Sequence, residues 1–226
     1  MAPRVFIIHG WNGHPSNAWF PWLCEELTKQ GIEVHIPLMP HPRYPSIKGW
    51  VSQIETLVGT CDANTYFVGH SLGAQAILRY LATLPEGTQA GGLVCVGGFK
   101  TVGNSIMRKI IAQMVMGSWL RTPLAWEKAS RHCSSITALF SPDDTWVTPE
   151  NIVSFKKDLN AVVRVLPGHG HFTSYEHLIA LPEVVTDLLE MAGLPLPDFS
   201  SVERTAELPA ASRWRILWDI VQRPAV

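Results

Sequence analysis

The sequence has little charge and almost no surplus of either sign. Lys and Arg number 18 against 19 for Asp and Glu, charged residues make up 16% of the 226, and the net charge is −1. Nucleic acid and anionic membrane surfaces attract a basic excess, so neither is an expected partner. The four cysteines, Cys24, Cys61, Cys95 and Cys133, are widely spaced and form no C-x-x-C pair. That pattern argues against a disulfide framework or a cysteine metal site and for buried reduced thiols. No apolar run is long enough to cross a bilayer. The residues after Met1 enter a strand pattern without the apolar core and cleavage site of a secretory signal, so a cytoplasmic location is expected. Internal repeats and low-complexity tracts are also missing.

What is present is apolar and regularly spaced. Hydrophobic residues are 46% of the chain, and Trp occurs nine times. Several of the tryptophans lie outside the expected strands, where they can line a pocket. The length suits one α/β domain with a small appendage.

Six short segments read as strands, the first of them a continuous apolar run as expected for a strand buried on both faces. They are Val5–Ile8, Glu33–Ile36, Tyr66–Gly69, Gly92–Val96, Thr137–Phe140 and Ala161–Val165. Between them lie helical patterns: about Asn17 to Gln30 with Ser16 as cap, Ile47 to Gly59, Ala74 to Leu84, Pro149 to Leu159 and Glu176 to Met191. Alternating strands and helices predict a mainly parallel sheet with helices on both faces. Ligands in such sheets bind at the carboxyl ends of the strands.

One stretch sets the chemistry. Tyr66-Phe67-Val68-Gly69-His70-Ser71-Leu72-Gly73 joins a strand pattern to a helix pattern through Gly-x-Ser-x-Gly. Three fixed positions match by chance in about one chain of this length in a dozen. The strand before and the helix after remove most accidents, because they are the setting of a nucleophile elbow. In that turn the serine takes a strained backbone conformation, and only very small neighbours fit beside it.

A serine hydroxyl needs a base, and in this kind of sheet the chain order is Ser, acid, His. Past the fifth strand stands Ser141-Pro142-Asp143-Asp144-Thr145-Trp146-Val147. Asp144, followed by Thr-Trp-Val, resembles the hydrolase pattern Asp-x-x-Val and is on that ground preferred to Asp143, which would form the turn or cap a helix. Past the last strand stands Gly168-His169-Gly170-His171-Phe172. His171 is preferred as base, and His169 is left as a loop residue. Neither a metal nor another cofactor is expected, because no third ligand accompanies His-x-His. The oxyanion would be met by the Leu72 N–H and by a second N–H from the loop His9-Gly10-Trp11-Asn12-Gly13, with Trp11 ahead of Asn12. His9 reads as a hydrogen-bonded structural histidine, and His70 as shaping the elbow.

The elbow, the early His-Gly loop, Asp144 and His171 together resemble the α/β-hydrolase superfamily. Val-Gly-His-Ser-Leu-Gly-Ala at 68–74, Trp-Glu-Lys at 126–128, Phe-Ser-Pro-Asp-Asp at 140–144 and Gly-His-Phe at 170–172 resemble the small serine hydrolases of the retinoblastoma-binding protein nine type. The likeness spans about residues 4–192. It implies an α/β-hydrolase fold with a minimal lid and a Ser71-Asp144-His171 triad. The first loop is nearer to those of esterases and lipases than to the subfamily's Gly-rich loop.

The expected activity is cleavage of an uncharged carboxylic ester. Thioesters or amides would use the same machinery, and a binding protein with an idle triad is the rival from another class. Dehalogenases and epoxide hydrolases of this fold need a carboxylate nucleophile, which Ser71 excludes. The apolar 99–126 stretch is either a cover over the site or a packing helix. After the domain at 1–193 comes an extension at 194–226 that opens with Leu-Pro-Leu-Pro-Asp and carries an amphipathic pattern from Ser212 to Gln222. It is expected to pack on the domain or to join two copies into a homodimer.

Overall fold

The computed structural model describes residues 2–103 and 106–205. Six strands form one sheet in the order β2-β1-β3-β4-β5-β6. They are β1 Arg4–Ile8, β2 Glu33–His35, β3 Thr65–His70, β4 Gly92–Val96, β5 Ile136–Phe140 and β6 Val162–Val165, and every neighbouring pair is parallel. The helices are α1 Phe20–Lys29, α2 Ile47–Val58, α3 Leu72–Leu81, α4 Ile106–Arg121, α5 Trp126–Arg131, α6 Glu150–Leu159 and α7 Pro182–Ala192.

Alternation along the strands divides the core in two. Phe6, Ile8, Phe67, Leu93, Cys95, Ala138 and Phe140 face a layer that includes α2, α3, α5 and α6. Val5, Ile7, Tyr66, Val68, Val94, Val96 and Leu139 face α1 and α7. Both faces of the four inner strands are covered, whereas the edge strands β2 and β6 are partly exposed and carry Glu33, His35 and Arg164. From β1 the chain runs to β2 on one side and returns to β3 on the other. The crevice at the ends of β1 and β3 is therefore the switch point where such sheets place ligands.

Several boundaries differ from the sequence pattern, each for a local reason. The first helix begins at Phe20, with Trp19 at the cap position and no side-chain cap. Ser16 instead bonds to His14 Nδ1 at 2.8 Å, and Ala18 takes a φ of +50°. Trp19 is withdrawn from the helix because its indole Nε1 donates to the Phe172 carbonyl at 3.0 Å. The third helix starts at Leu72, directly after the serine, and not at Ala74.

The last helix starts at Pro182, whose fixed φ suits a first turn. Glu176, expected at its start, instead ends a short 3₁₀ turn, Ser174–Glu176, and forms a capping box with Thr173. Beyond Gly193, Phe199 lies against Trp22 with ring centroids 5.6 Å apart. Ile179 N–H meets the Arg204 carbonyl at 2.8 Å. The expected helix from Ser212 to Gln222 lies outside the described residues, as does Asn104. Among the described residues no helix is long and apolar enough to cross a membrane.

Candidate active site

Strand β3 is buried along its whole length and stops at His70. Ser71 follows at φ 54°, ψ −115°, and α3 starts at the next residue. A non-glycine residue at positive φ costs about 1–3 kcal/mol and persists only where its surroundings fix it. Here the Ser71 N–H donates to the Val96 carbonyl at 2.8 Å. A Cβ on Gly69 would lie 2.5 Å from the Ala74 Cα, and one on Gly73 would collide with the Ile8 carbonyl oxygen. The two glycines are thus required by the close approach of β1, β3 and α3, and neither has a positive φ.

Two loops from the other half of the sheet reach the serine. His171 Nε2 lies 3.0 Å from Ser71 Oγ, and His171 Nδ1 lies 2.7 Å from Asp144 Oδ2. The Asp144 side chain is 1% exposed. Its Oδ1 accepts the N–H groups of Trp146 at 2.7 Å and Val147 at 2.9 Å, leaving Oδ2 for the histidine. A carboxylate on Nδ1 keeps the proton there, so the Nε2 lone pair faces the serine hydroxyl.

The two alternative residues are used differently. Asp143, expected to form a turn or a cap, ties the two loops together. Its Oδ1 accepts from Ser141 Oγ at 2.6 Å and from Gly168 N–H at 2.8 Å, and its Oδ2 accepts from Gly170 N–H at 2.9 Å. The Ser141 hydroxyl first, and then the two N–H groups, hold its carboxyl down at about 2 against the opposing effect of burial. His169 turns its Nδ1 to the Pro167 carbonyl at 2.9 Å.

The candidate oxyanion donors come from β1 and α3. Leu72 is the first residue of α3, so its N–H has no acceptor inside the helix. Among the described residues neither that N–H nor the one of Trp11 has a backbone acceptor. The Asn12 N–H donates to the Pro42 carbonyl at 2.8 Å, which commits it elsewhere. His9 is fully buried, and burial lowers its pKa, so the ring is neutral. Its Nδ1 meets the Gly10 carbonyl at 2.8 Å, and its Nε2 accepts the Met39 N–H at 3.0 Å. The Gly10 carbonyl also takes the Gly13 N–H at 3.1 Å. Because the peptide plane is rigid, fixing that carbonyl aims the Trp11 N–H the opposite way. Gly10 itself sits beside the serine, since a Cβ there would lie 3.1 Å from the Ser71 Cβ.

Aromatic side chains border the site. Trp11 meets Trp146 edge to face at 6.3 Å, and its indole donates to the Arg43 carbonyl at 2.9 Å. The end of α4 is docked: Trp119 Nε1 donates to the Pro45 carbonyl at 2.9 Å, and Arg79 donates to the Trp119 and Thr122 carbonyls. The buried Asn151 was not marked by any sequence motif. Its Oδ1 accepts the Lys100 and Thr101 N–H groups and its Nδ2 donates to the Thr101 carbonyl, pinning the loop after β4 to α6.

Burial pushes the Cys61 thiol up to about 11 and the Cys133 thiol up to about 12, which removes them as nucleophiles at neutral pH. Among the described residues no group of three or more His, Cys, Asp or Glu could hold a metal ion.

Comparison with known proteins bears on the family and the fold. A family model described as serine hydrolase matches residues 5–190. The protein YdeN of Bacillus subtilis is 32% identical over 193 residues, covering 84% of this chain and 95% of that protein. The serine hydrolase RBBP9 of Rattus norvegicus is 26% identical over 180 residues, 77% of this chain and 90% of its own. The crystal structure of the B. subtilis ydeN gene product superposes with a TM-score of 0.77 at 29% identity, over 85% of this chain and 100% of that one. Est1E from Butyrivibrio proteoclasticus, solved with ferulic acid bound, superposes with a TM-score of 0.64 at 17% identity, over 85% and 90% of the two chains. The fold is that of the α/β-hydrolases.

Proposed function

The chain belongs to the serine hydrolase family, and from that premise we propose that it cleaves carboxylic esters through an acyl-enzyme on Ser71. The observation that carries the reading is the unbroken hydrogen-bonded line from Ser71 Oγ through the His171 ring to Asp144. As Ser71 attacks the ester carbonyl, His171 Nε2 takes the hydroxyl proton, and the Asp144 carboxylate steadies the imidazolium. The oxyanion is met by the N–H groups of Leu72 and Trp11. His171 then passes its proton to the departing alcohol. Water attacks the acyl-enzyme in the second half-reaction, with the same histidine as base, and the acid leaves as Ser71 recovers its proton.

The substrate is uncharged with a small or medium acyl group. Trp11 and Trp146 supply apolar edges at the site, and aromatic and apolar linings fit such a ligand.

The test is stopped-flow hydrolysis of p-nitrophenyl acetate and butyrate, with the matching thioesters and anilides alongside. The reading predicts ester turnover, a burst of p-nitrophenol close to one per protein, and loss of both in Ser71→Ala and His171→Ala. Turnover confined to thioesters or anilides would replace the ester assignment, and turnover that persists undiminished in Ser71→Ala would remove the acyl-enzyme.

A further inference from the structure

Both backbone groups of His171 are held by side chains and not by a strand or helix. Its N–H donates to Glu176 Oε1 at 3.3 Å, and its carbonyl meets His70 Nε2 at 2.8 Å. His70 is the residue immediately before Ser71. The dipeptide His70-Ser71 therefore meets His171 twice, once at the ring through the Ser71 hydroxyl and once at the main chain through the His70 ring.

His70 is suited to donate and not to exchange protons. It is 8% exposed, with the Trp19 and Phe20 rings edge-on at 6.3 and 6.2 Å. Burial first, and then the neighbouring His171, pushes its pKa down to about 3, so it is neutral under ordinary conditions. A carbonyl only accepts, so the single ring proton sits on Nε2. Neutrality also matters for the base, because the two rings lie 5.2 Å apart and a second cation there would oppose formation of the imidazolium.

The main chain at this point needs holding. Phe172 follows at φ +57°, a region that residues with a side chain leave unless fixed. The His70 bond to the His171 carbonyl and the Trp19 bond to the Phe172 carbonyl bracket that strained residue.

We propose that His70 is a positioning residue for the base: it moves no proton itself and fixes the His171 main chain so that Nε2 stays within reach of the Ser71 hydroxyl. This inference rests on the Ser71–His171 reading above. A neutral donor of similar reach preserves the function, and an apolar side chain of similar size does not.

The experiment compares wild type with His70→Gln, His70→Met and His70→Asn on p-nitrophenyl butyrate. Competent sites are counted by labelling Ser71 to completion with a fluorophosphonate, so kcat is expressed per working site and partial unfolding drops out. Misplacing a reacting group by about 1 Å costs up to roughly 10²-fold. His70→Met is expected to lose about 10- to 100-fold in kcat per site with KM within about twofold. His70→Gln recovers most of that loss. His70→Asn, polar but too short to reach the carbonyl, stays low and supplies the contrast if the Met variant does not fold. Equal kcat per site in Asn, Gln and wild type would overturn the inference, as would Gln falling with Asn. A wild type that turns over none of the esters, thioesters or anilides would instead overturn the proposed activity, and this inference with it.

Discussion

The two sides of the site are held in place by different physics. On the nucleophile side, β1, β3 and α3 approach so closely that Gly69 and Gly73 have no room for a Cβ. On the base side, side-chain hydrogen bonds from Asp143 and Asp144 join the loops after β5 and β6, Glu176 braces His171 within its own loop, and His70 ties that loop to the end of β3. Backbone packing in the centre of a sheet is an all-or-none constraint. Polar ties between surface loops can be removed one at a time, each with a graded effect. The difference teaches where variants will abolish the fold and where they will tune activity.

The sharpest way to break this contrast is Gly73→Ala. The added methyl meets the Ile8 carbonyl, a backbone atom in a central strand that cannot yield cheaply. Overpacking of this kind is expected to cost about 3 kcal/mol or more, read as a fall in the urea midpoint, and activity is lost with it. A variant as stable and active as wild type would show that the nucleophile side is not sterically fixed.

Next in size is the loop after β1, where the Trp11 N–H is the proposed oxyanion donor. Trp11→Pro deletes that donor, and Trp11→Phe keeps it while trimming the indole. The proline variant is expected to lose about 10²- to 10³-fold in kcat, the usual effect of one oxyanion donor, with the phenylalanine variant within about tenfold of wild type. Equal losses in the two would assign the effect to the side chain.

On the base side, Asp143→Asn keeps the residue's shape but turns an amide toward the Gly170 N–H. Activity is expected to fall less than about tenfold, because Asp144 and His171 remain. The stability effect has a definite pH sign. Asp143 is held at about 2, below its ordinary 3.8, so it binds a proton less readily when folded. Its contribution is complete above the ordinary carboxylate range and disappears as pH falls from about 4 toward 2. Thermal melts should therefore separate the two proteins near neutrality and converge in acid. Melts that stay equally far apart at every pH would mean that the Asp143 charge is not what ties the loops.

The smallest effect belongs to His169→Ala, whose ring nitrogen only meets a carbonyl of its own loop. Its kcat is expected within about twofold of wild type, since the half-buried ring lies against Phe172 at 5.6 Å and has no hydrogen bond to Ser71, Asp144 or His171 among the described residues. A loss as large as that of His171→Ala would exchange the roles of the two histidines.

Much of this arrangement is legible in the sequence because it depends on short-range patterns. Apolar runs give the four inner strands, which are covered on both faces, and the shorter, partly polar segments at Glu33 and Val162 give the two edges. The Gly-x-Ser-x-Gly setting gives the turn at Ser71. The geometry also brings Asp144 and His171 to that serine, through loops that chain order alone singles out. What sequence leaves unread depends on partners distant along the chain. Trp19 is pulled out of the first helix by a carbonyl more than 150 residues away. Glu176 looks like a helix residue but closes a capping box beside His171. Asp143 carries no motif that separates a turn former from a tie between loops. The choice between Trp11 and Asn12 turns on a single hydrogen bond to Pro42, which no local pattern encodes.

The most direct test of the central claim is intact-protein mass spectrometry after brief mixing with a fluorophosphonate, followed by peptide mapping. The account predicts one adduct per chain, located on Ser71, formed rapidly in wild type and in His169→Ala and abolished in His171→Ala. An adduct on another residue, or Ser71 labelling that is unchanged without His171, would contradict it.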